Sequence, residues 1–350
     1  MWIRLIVVLL VALVCSLLLT PLVRKVGLRF HIIERPNPRK THKRAVTCLG
    51  GVAIYASFVV SLLVASLILF KNPHSPFSYK LLGLLCGGSM ILVLGLVDDI
   101  KGAPAPVKVG WQIAAALVTS ALFGIRITYI DVPFFGVIWL RAYSLPLTLL
   151  WVVGLTNALN WADGLDGLAA GISSIACVSL VVVSWRGGDL VSIVVLIALL
   201  GATLGFLRYN FYPAKVFMGD TGSNFLGFVL ANVAIMGGLK SAAALSLMVP
   251  ILILGVPIFD TLFSVWRRVR LKRSPIRPDT DHFHFRLLKL GLNQRQAVLV
   301  IYVISAVLGG CAVLLAQNPT LTSLAVVVFI VGLLALIALK LGLLSVSFRE

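Results

Sequence analysis

Residues 157–171 read NALNWADGLDGLAAG, a polar island set between the apolar runs Leu145–Leu159 and Leu168–Trp185. Asn157, Asn160 and Asp163 recur at i, i+3 and i+6, one stripe of a helix, with Leu159 and Trp161 turned away from it. Gly164 and Gly167 then allow a turn that brings Asp166 back before the next run begins. Two amides and two carboxylates on one surface suit a hard cation, a phosphate or a sugar, while a hydrogen-bond network between helices is the purely structural reading. Carboxylates beside hydrophobic runs lose hydration that something must replace, so their default meaning is function.

The rest of the chain makes those runs membrane spans. Sixty per cent hydrophobic residues, 12% charged residues and a mean hydropathy of +1.05 describe an all-α polytopic membrane protein, a single integral domain over 1–350, because no soluble core of this length needs so much apolar surface. Runs near the roughly 20 residues that a spanning helix requires are Leu5–Val23, Leu49–Phe70, Leu81–Val97, Val109–Ile125, Leu145–Leu159, Leu168–Trp185, Leu190–Leu207, Ser223–Gly237, Ala242–Val265, Ala297–Ala316 and Leu321–Leu339, eleven in all. The first run is longer than a signal-peptide core and lacks an A-x-A site, so it is expected to stay as an anchor.

An odd number of spans puts the termini on opposite sides. Loops on the C-terminal side carry 23 of the 30 Lys and Arg residues, so that side is expected to be cytoplasmic and the N-terminus outside. The same count brings three acidic islands to the cytoplasmic face: Asp98 and Asp99, Asp163 and Asp166, and Asp220. The +18 formal charge is then topogenic and indicates anionic lipid or an anionic soluble substrate, not nucleic acid. Five scattered cysteines without ligand spacing read as small core hydrophobes. Two loops are long enough to fold. Outside, RITYIDVPFFGVIWL within Ile125–Ser144 predicts a short β-hairpin; inside, the basic loop Arg267–Arg295 is the candidate for soluble-substrate binding.

Asp98 and Asp99 end the third span and, as helix neighbours about 100° apart, are expected to play different roles. Lys101 stands near enough in sequence to neutralise one of them. In GDTGS, residues 219–223, the glycines and the helix start favour phosphate, and Asp220 is placed to hold a divalent ion; an ordinary N-cap is the bland reading. His282 and His284, two apart, are expected to diverge, which suits zinc poorly; with Arg286 they fit as donors to a diphosphate. Lys108 joins the candidate substrate-binding cations, and Asp260 is expected to pair with Arg267.

In order and spacing, LGGVAIY (Leu49–Tyr55), LGLVDDIKG (Leu94–Gly102), NALNWADGLDGLAAG, VFMGDTGS (Val216–Ser223), PIFDTLF (Pro257–Phe263) and HFHFRLLKLG (His282–Gly291) resemble the polyprenyl-phosphate N-acetylhexosamine-1-phosphate transferase family over nearly the whole chain. The resemblance implies transfer of a sugar 1-phosphate from a UDP-N-acetylhexosamine to undecaprenyl phosphate. It also implies Mg²⁺ (Mn²⁺ as the substitute), release of UMP, and a homodimer in the bacterial inner membrane with a cytoplasmic active site. It makes Asp220 the metal ligand, Asp98, Asp99, Asp163 and Asp166 catalytic, and Asn157, Asn160, Lys108, His282, His284 and Arg286 substrate-binding. Thr47-Cys48 and Phe285 depart from the family's usual Pro-Arg and histidine. Phe285 is shared with the branch that transfers phospho-MurNAc-pentapeptide, which stays an alternative, as does an ion-coupled transporter; a non-catalytic scaffold leaves the acids unexplained.

Overall fold

The computed structural model describes residues 1–34, 46–69, 76–132, 136–238, 248–272, 282–318 and 320–342. The basic residues Arg35, Arg39, Lys40, Lys43, Arg44, Lys71, Lys240 and Arg349, the middle of the 267–295 loop and the hairpin apex at 133–135 lie outside them.

Helix α1 (Trp2–Arg29) leads to a two-stranded clasp, β1 (Ile33–Glu34) and β2 (Val46–Thr47), antiparallel with Ile33 opposite Thr47. Then come α2 (Gly50–Leu69), α3 (Pro76–Lys101) and α4 (Ala105–Leu117), the last continuing as a π-helix over Val118–Leu122. The predicted hairpin is present as β3 (Tyr129–Val132) and β4 (Gly136–Trp139), in register from Tyr129 opposite Trp139 to Val132 opposite Gly136. Helices α5 (Ser144–Ala162), α6 (Leu168–Arg186), α7 (Leu190–Asn210) and α8 (Gly219–Gly238) follow. The chain closes with α9 (Met248–Ile253), α10 (Gly255–Arg270), α11 (Phe283–Lys289), α12 (Gln294–Gln317) and α13 (Leu321–Lys340).

Among the described residues, nine helices are long and apolar enough to cross a membrane, and the chain is a multi-pass membrane protein. Outward side chains such as Leu67, Leu150 and Phe329 are apolar and exposed, as a lipid solvent demands. Helices α6, α7 and α8 form the buried centre, whereas most of α1 and α13 faces outward. With lipid tails as apolar as leucine, the spans associate through small residues and polar contacts: Ser16 donates to the Ala202 carbonyl (2.7 Å) and Ser61 to that of Val8 (2.7 Å).

The ninth predicted span departs from expectation. Its described part is two helices, α9 and α10, separated at Leu254. Pro257 has no N–H to give the Ile253 carbonyl, so the hydrogen-bond ladder cannot run through unbroken. Helix α8 is twenty residues long but opens on the polar stretch GDTGSN, and its start is wedged against α2 and α3. A Cβ on Gly51 would collide with the Gly222 backbone, and one on Gly95 with that of Thr221. Only hydrogen-sized side chains let three helices meet there. Gly95→Ala is therefore expected to lower stability by about 1–3 kcal/mol, read as a drop in the unfolding midpoint in detergent. Gly110→Ala, whose new Cβ meets nothing within 4 Å, serves as the control.

Candidate active site

The three acidic islands converge. Asp99, at the C-terminal end of α3, grips the first turn of α8: Oδ1 accepts from the Asp220 N–H (2.8 Å), and Oδ2 accepts from the Thr221 N–H (3.1 Å) and Thr221 hydroxyl (2.6 Å). The helix start that GDTGS offers to a phosphate is thus already occupied by a carboxylate of the protein itself. Gly219 makes this possible, with φ of +69° and an α-carbon pressed so close to Asp99 that a Cβ would not fit. Asp98 turns elsewhere: its Oδ1 accepts from the Ala103 N–H (2.8 Å), and its Oδ2 pairs with the Lys108 ammonium. Lys108 also reaches Asp220 Oδ2 (2.8 Å). The cation beside the acidic pair is therefore Lys108, one turn into α4, while the expected Lys101 is exposed.

Amides complete the wall. Asn160 donates to the Ser223 hydroxyl (2.9 Å) and bonds the Asp220 side chain. Asn157 donates to Gln112 Oε1 (2.7 Å), Gln112 to Asn224 Oδ1 (3.1 Å), and Asn224 to the Asp220 carbonyl (2.7 Å). This relay ties α4, α5 and α8 together through Gln112 and Asn224, neither of which belongs to the candidate residues of the sequence analysis. Gln112 carried a usable signal, a lone amide inside the apolar run VGWQIAAAL.

Asp163 caps the end of α5, and loss of hydration, reinforced by Asp220, Asp99 and Asp166, pushes its carboxyl up to about 8. Asp166 accepts from the Ala214 N–H (2.9 Å), binding its own turn to the segment before α8. Asn210 supports the same junction, accepting from the Gly167 N–H (3.1 Å) and donating to the Val216 carbonyl (3.0 Å).

The histidines do not diverge. His282 caps α11 and His284 lies in its first turn, yet their rings stack parallel, centroids 5.7 Å apart and 1° from coplanar orientation. Both are buried, and His284 lies against the Gly164 α-carbon, which joins the histidine segment to the second acidic island. Burial pushes the His284 imidazole down to about 4. Asp260 gives its carboxylate to this segment and not to Arg267: Oδ2 lies 2.9 Å from His282 Nδ1, and Oδ1 accepts from the Phe283 N–H (2.7 Å). Arg286 is buried with its guanidinium 5.2 Å from the Phe263 ring centroid. Arg268 lies in the same way over Trp161 at 5.3 Å.

Among the described residues, no three His, Cys, Asp or Glu side chains form a ready metal cage. What the site does provide is hard oxygen donors, Asp220 first, facing a cation already drawn between Asp98 and Asp220. That donor set fits Mg²⁺, which takes few protein ligands and keeps oxygens from phosphate and water.

Acids and amides gathered around one lysine where membrane helices end place polar chemistry at a lipid boundary, and known proteins define the class. Residues 81–238 match glycosyl transferase family 4. The chain is 36% identical to the probable undecaprenyl-phosphate N-acetylglucosaminyl 1-phosphate transferase of Bacillus subtilis, covering 99% of this chain and 95% of that protein. It is 34% identical to the decaprenyl-phosphate N-acetylglucosaminephosphotransferase of Mycolicibacterium smegmatis (88% and 82% covered). It is 27% identical to the undecaprenyl-phosphate alpha-N-acetylglucosaminyl 1-phosphate transferase of Escherichia coli K12 (83% and 78%). The chain belongs to this family of polyprenyl-phosphate N-acetylhexosamine-1-phosphate transferases. The transporter and scaffold readings fall with that assignment.

Two outcomes follow from this geometry. Asp99→Asn, which replaces an acceptor of three bonds with a group that offers one carbonyl oxygen, should lower the unfolding midpoint clearly. Asp98→Asn, which keeps the Ala103 bond, should lower it less; equal losses would contradict the division of labour. Because His284 is held neutral in the fold but takes a proton near 6.5 when unfolded, the unfolded chain binds more protons between those values. This contribution to stability is present above about pH 6.5 and fades as the pH falls toward 4. The acid limb of the unfolding-midpoint profile should accordingly flatten in His284→Gln.

Proposed function

We propose that this protein transfers N-acetylglucosamine 1-phosphate from UDP-N-acetylglucosamine to undecaprenyl phosphate, releasing UMP and leaving a lipid-linked diphospho-sugar that starts a cell-envelope glycopolymer. The observation that carries the reading is Lys108 bridging Asp98 and Asp220 beside Asn160, within a site that lies at the shared ends of several spans. A water-soluble sugar nucleotide and a lipid phosphate can both reach such a place. The relatives' names supply the acceptor and the sugar.

The reaction joins two anions. An oxygen of the lipid phosphate attacks the phosphorus that carries the sugar, the bond from that phosphorus to the UMP oxygen breaks, and UMP leaves with the electron pair. Little covalent work falls to the protein, so its task is positioning and charge neutralisation. Asp220 would hold Mg²⁺, and the ion would supply positive charge against the repulsion between the two phosphates. Asn157 and Asn160 keep Asp220 in place through α4 and α8. Lys108, His282 and Arg286 supply donors and positive charge to the phosphates, while His284, held neutral by burial, packs the histidine segment against Gly164. Asp98 is the carboxylate closest in role to a proton acceptor for the lipid phosphate, which is itself mostly ionised near neutral pH and asks little of a base, whereas Asp163, still protonated there, can donate a hydrogen bond. Asp99 and Asp166 hold the backbone on which these groups stand. The working arrangement is a homodimer in the bacterial inner membrane, N-terminus outside, with the site on the cytoplasmic face, as the 23 basic residues on that side favour.

The test is Mg²⁺-dependent exchange of labelled UMP into UDP-N-acetylglucosamine by purified protein with undecaprenyl phosphate, repeated in sealed vesicles. Exchange is expected in inverted vesicles and not in right-side-out ones. Asp220→Asn should remove it by orders of magnitude, about 10²–10³-fold or more, with the protein still folded. Turnover of UDP-MurNAc-pentapeptide with UDP-N-acetylglucosamine ignored would assign the protein to the peptidoglycan branch instead.

A further inference from the structure

Asp260 lies outside the acidic islands, yet both its oxygens serve the histidine segment. Oδ1 takes the Phe283 N–H at the start of α11 (2.7 Å), and Oδ2 takes His282 Nδ1 (2.9 Å). Ser264, one turn further along α10, places its hydroxyl 3.3 Å from the same nitrogen. An ionised carboxylate can only accept, so the imidazole must carry its proton on Nδ1, and Nε2 is the atom left free for chemistry. His284, stacked parallel beside it, is held differently: its Nε2 is buried against Gly164 with no hydrogen-bond partner among the described residues. The two histidines of the segment are therefore not equivalent.

We infer that Asp260 is a positioning residue that fixes the tautomer and direction of His282, making His282 the histidine that presents a cationic Nε2–H to the donor diphosphate while His284 acts as a neutral spacer against the 163–166 turn. The inference rests on the UDP-sugar reading for the identity of the anion, but its structural half does not. A neutral His282 held by Asp260 shows a lone pair at Nε2. With a second proton on the ring, the same edge donates to phosphate oxygen while Asp260 balances the charge behind it. His284 has no such hydrogen-bonded backing at Nε2 and is pushed toward neutrality by burial. The orientation of His282 then depends on α10, and so on the half-helix that begins after the break at Leu254.

The experiment is ¹⁵N NMR of histidine-labelled full-length protein in detergent or nanodiscs, alongside steady-state transfer. In the wild type, the His282 resonances, assigned by their loss in His282→Gln, should report a protonated Nδ1. Asp260→Asn keeps an oxygen for the Phe283 amide but can turn its NH₂ toward His282, so the His282 proton should move to Nε2. Transfer from UDP-N-acetylglucosamine should fall about 10–100-fold, the usual worth of an orienting partner, and mainly in kcat. Asp260→Asn combined with His282→Gln should be no slower than His282→Gln alone. A wild-type His282 with its proton on Nε2 overturns the inference without any variant. So do an unchanged tautomer in folded Asp260→Asn and fully additive losses in the double variant. If the wild type ignores UDP-N-acetylglucosamine, the donor reading fails while the tautomer measurement still decides the role of Asp260.

Discussion

The site depends on one carboxylate in an unfavourable place. Asp99 stands at the C-terminal end of α3, where the helix dipole repels negative charge, but the same group sits at the N-terminus of α8, where two amides and a hydroxyl receive it. What one helix penalises, the other stabilises, and the result is a rigid joint between distant parts of the chain. Asp220 is the first residue past that joint, so its direction follows from the grip of Asp99 on its own amide. The close approach requires glycine at 51, 95 and 219, where any larger side chain would hold the helices apart.

Around the joint the acids find partners within the protein. Lys108 counters Asp98 and Asp220, and the amides of Asn157, Gln112 and Asn224 relay from one helix to the next without adding charge. At the edge of a bilayer an unpaired carboxylate would cost several kcal/mol. Pairing within the protein avoids that cost. Asp163 follows the other route available to a poorly hydrated acid, holding its proton near neutral pH.

Periodicity and hydropathy sufficed for nine of the eleven expected spans, the hairpin and the convergence of the acids, because those follow from bilayer thickness and from the parity of crossings. Partners were another matter. Lys101 is three residues from Asp98, but the working cation, Lys108, lies beyond the turn that starts α4; chain distance is a poor guide when a loop reverses direction. Helical spacing pairs Asp260 with Arg267, whereas its actual partner, His282, is 22 residues away at the cap of a separate short helix. The parallel histidine rings were equally hidden, since His282 is a cap with extended backbone and His284 is helical, so neither strand nor helix geometry applies to the pair. Gln112 was visible as an oddity in an apolar run, but its meaning required knowing that α4, α5 and α8 meet.

A continuous helix transmits phase: each residue added near one end rotates every side chain beyond it by about 100°. The interruption at Leu254 cancels that transmission between α9 and α10. The azimuth of Asp260 is therefore set by its own contact with the α11 segment, not by counting residues from Met248. The carboxylate's direction is thus fixed where it is used, by a contact made after the break instead of by the helix that precedes it.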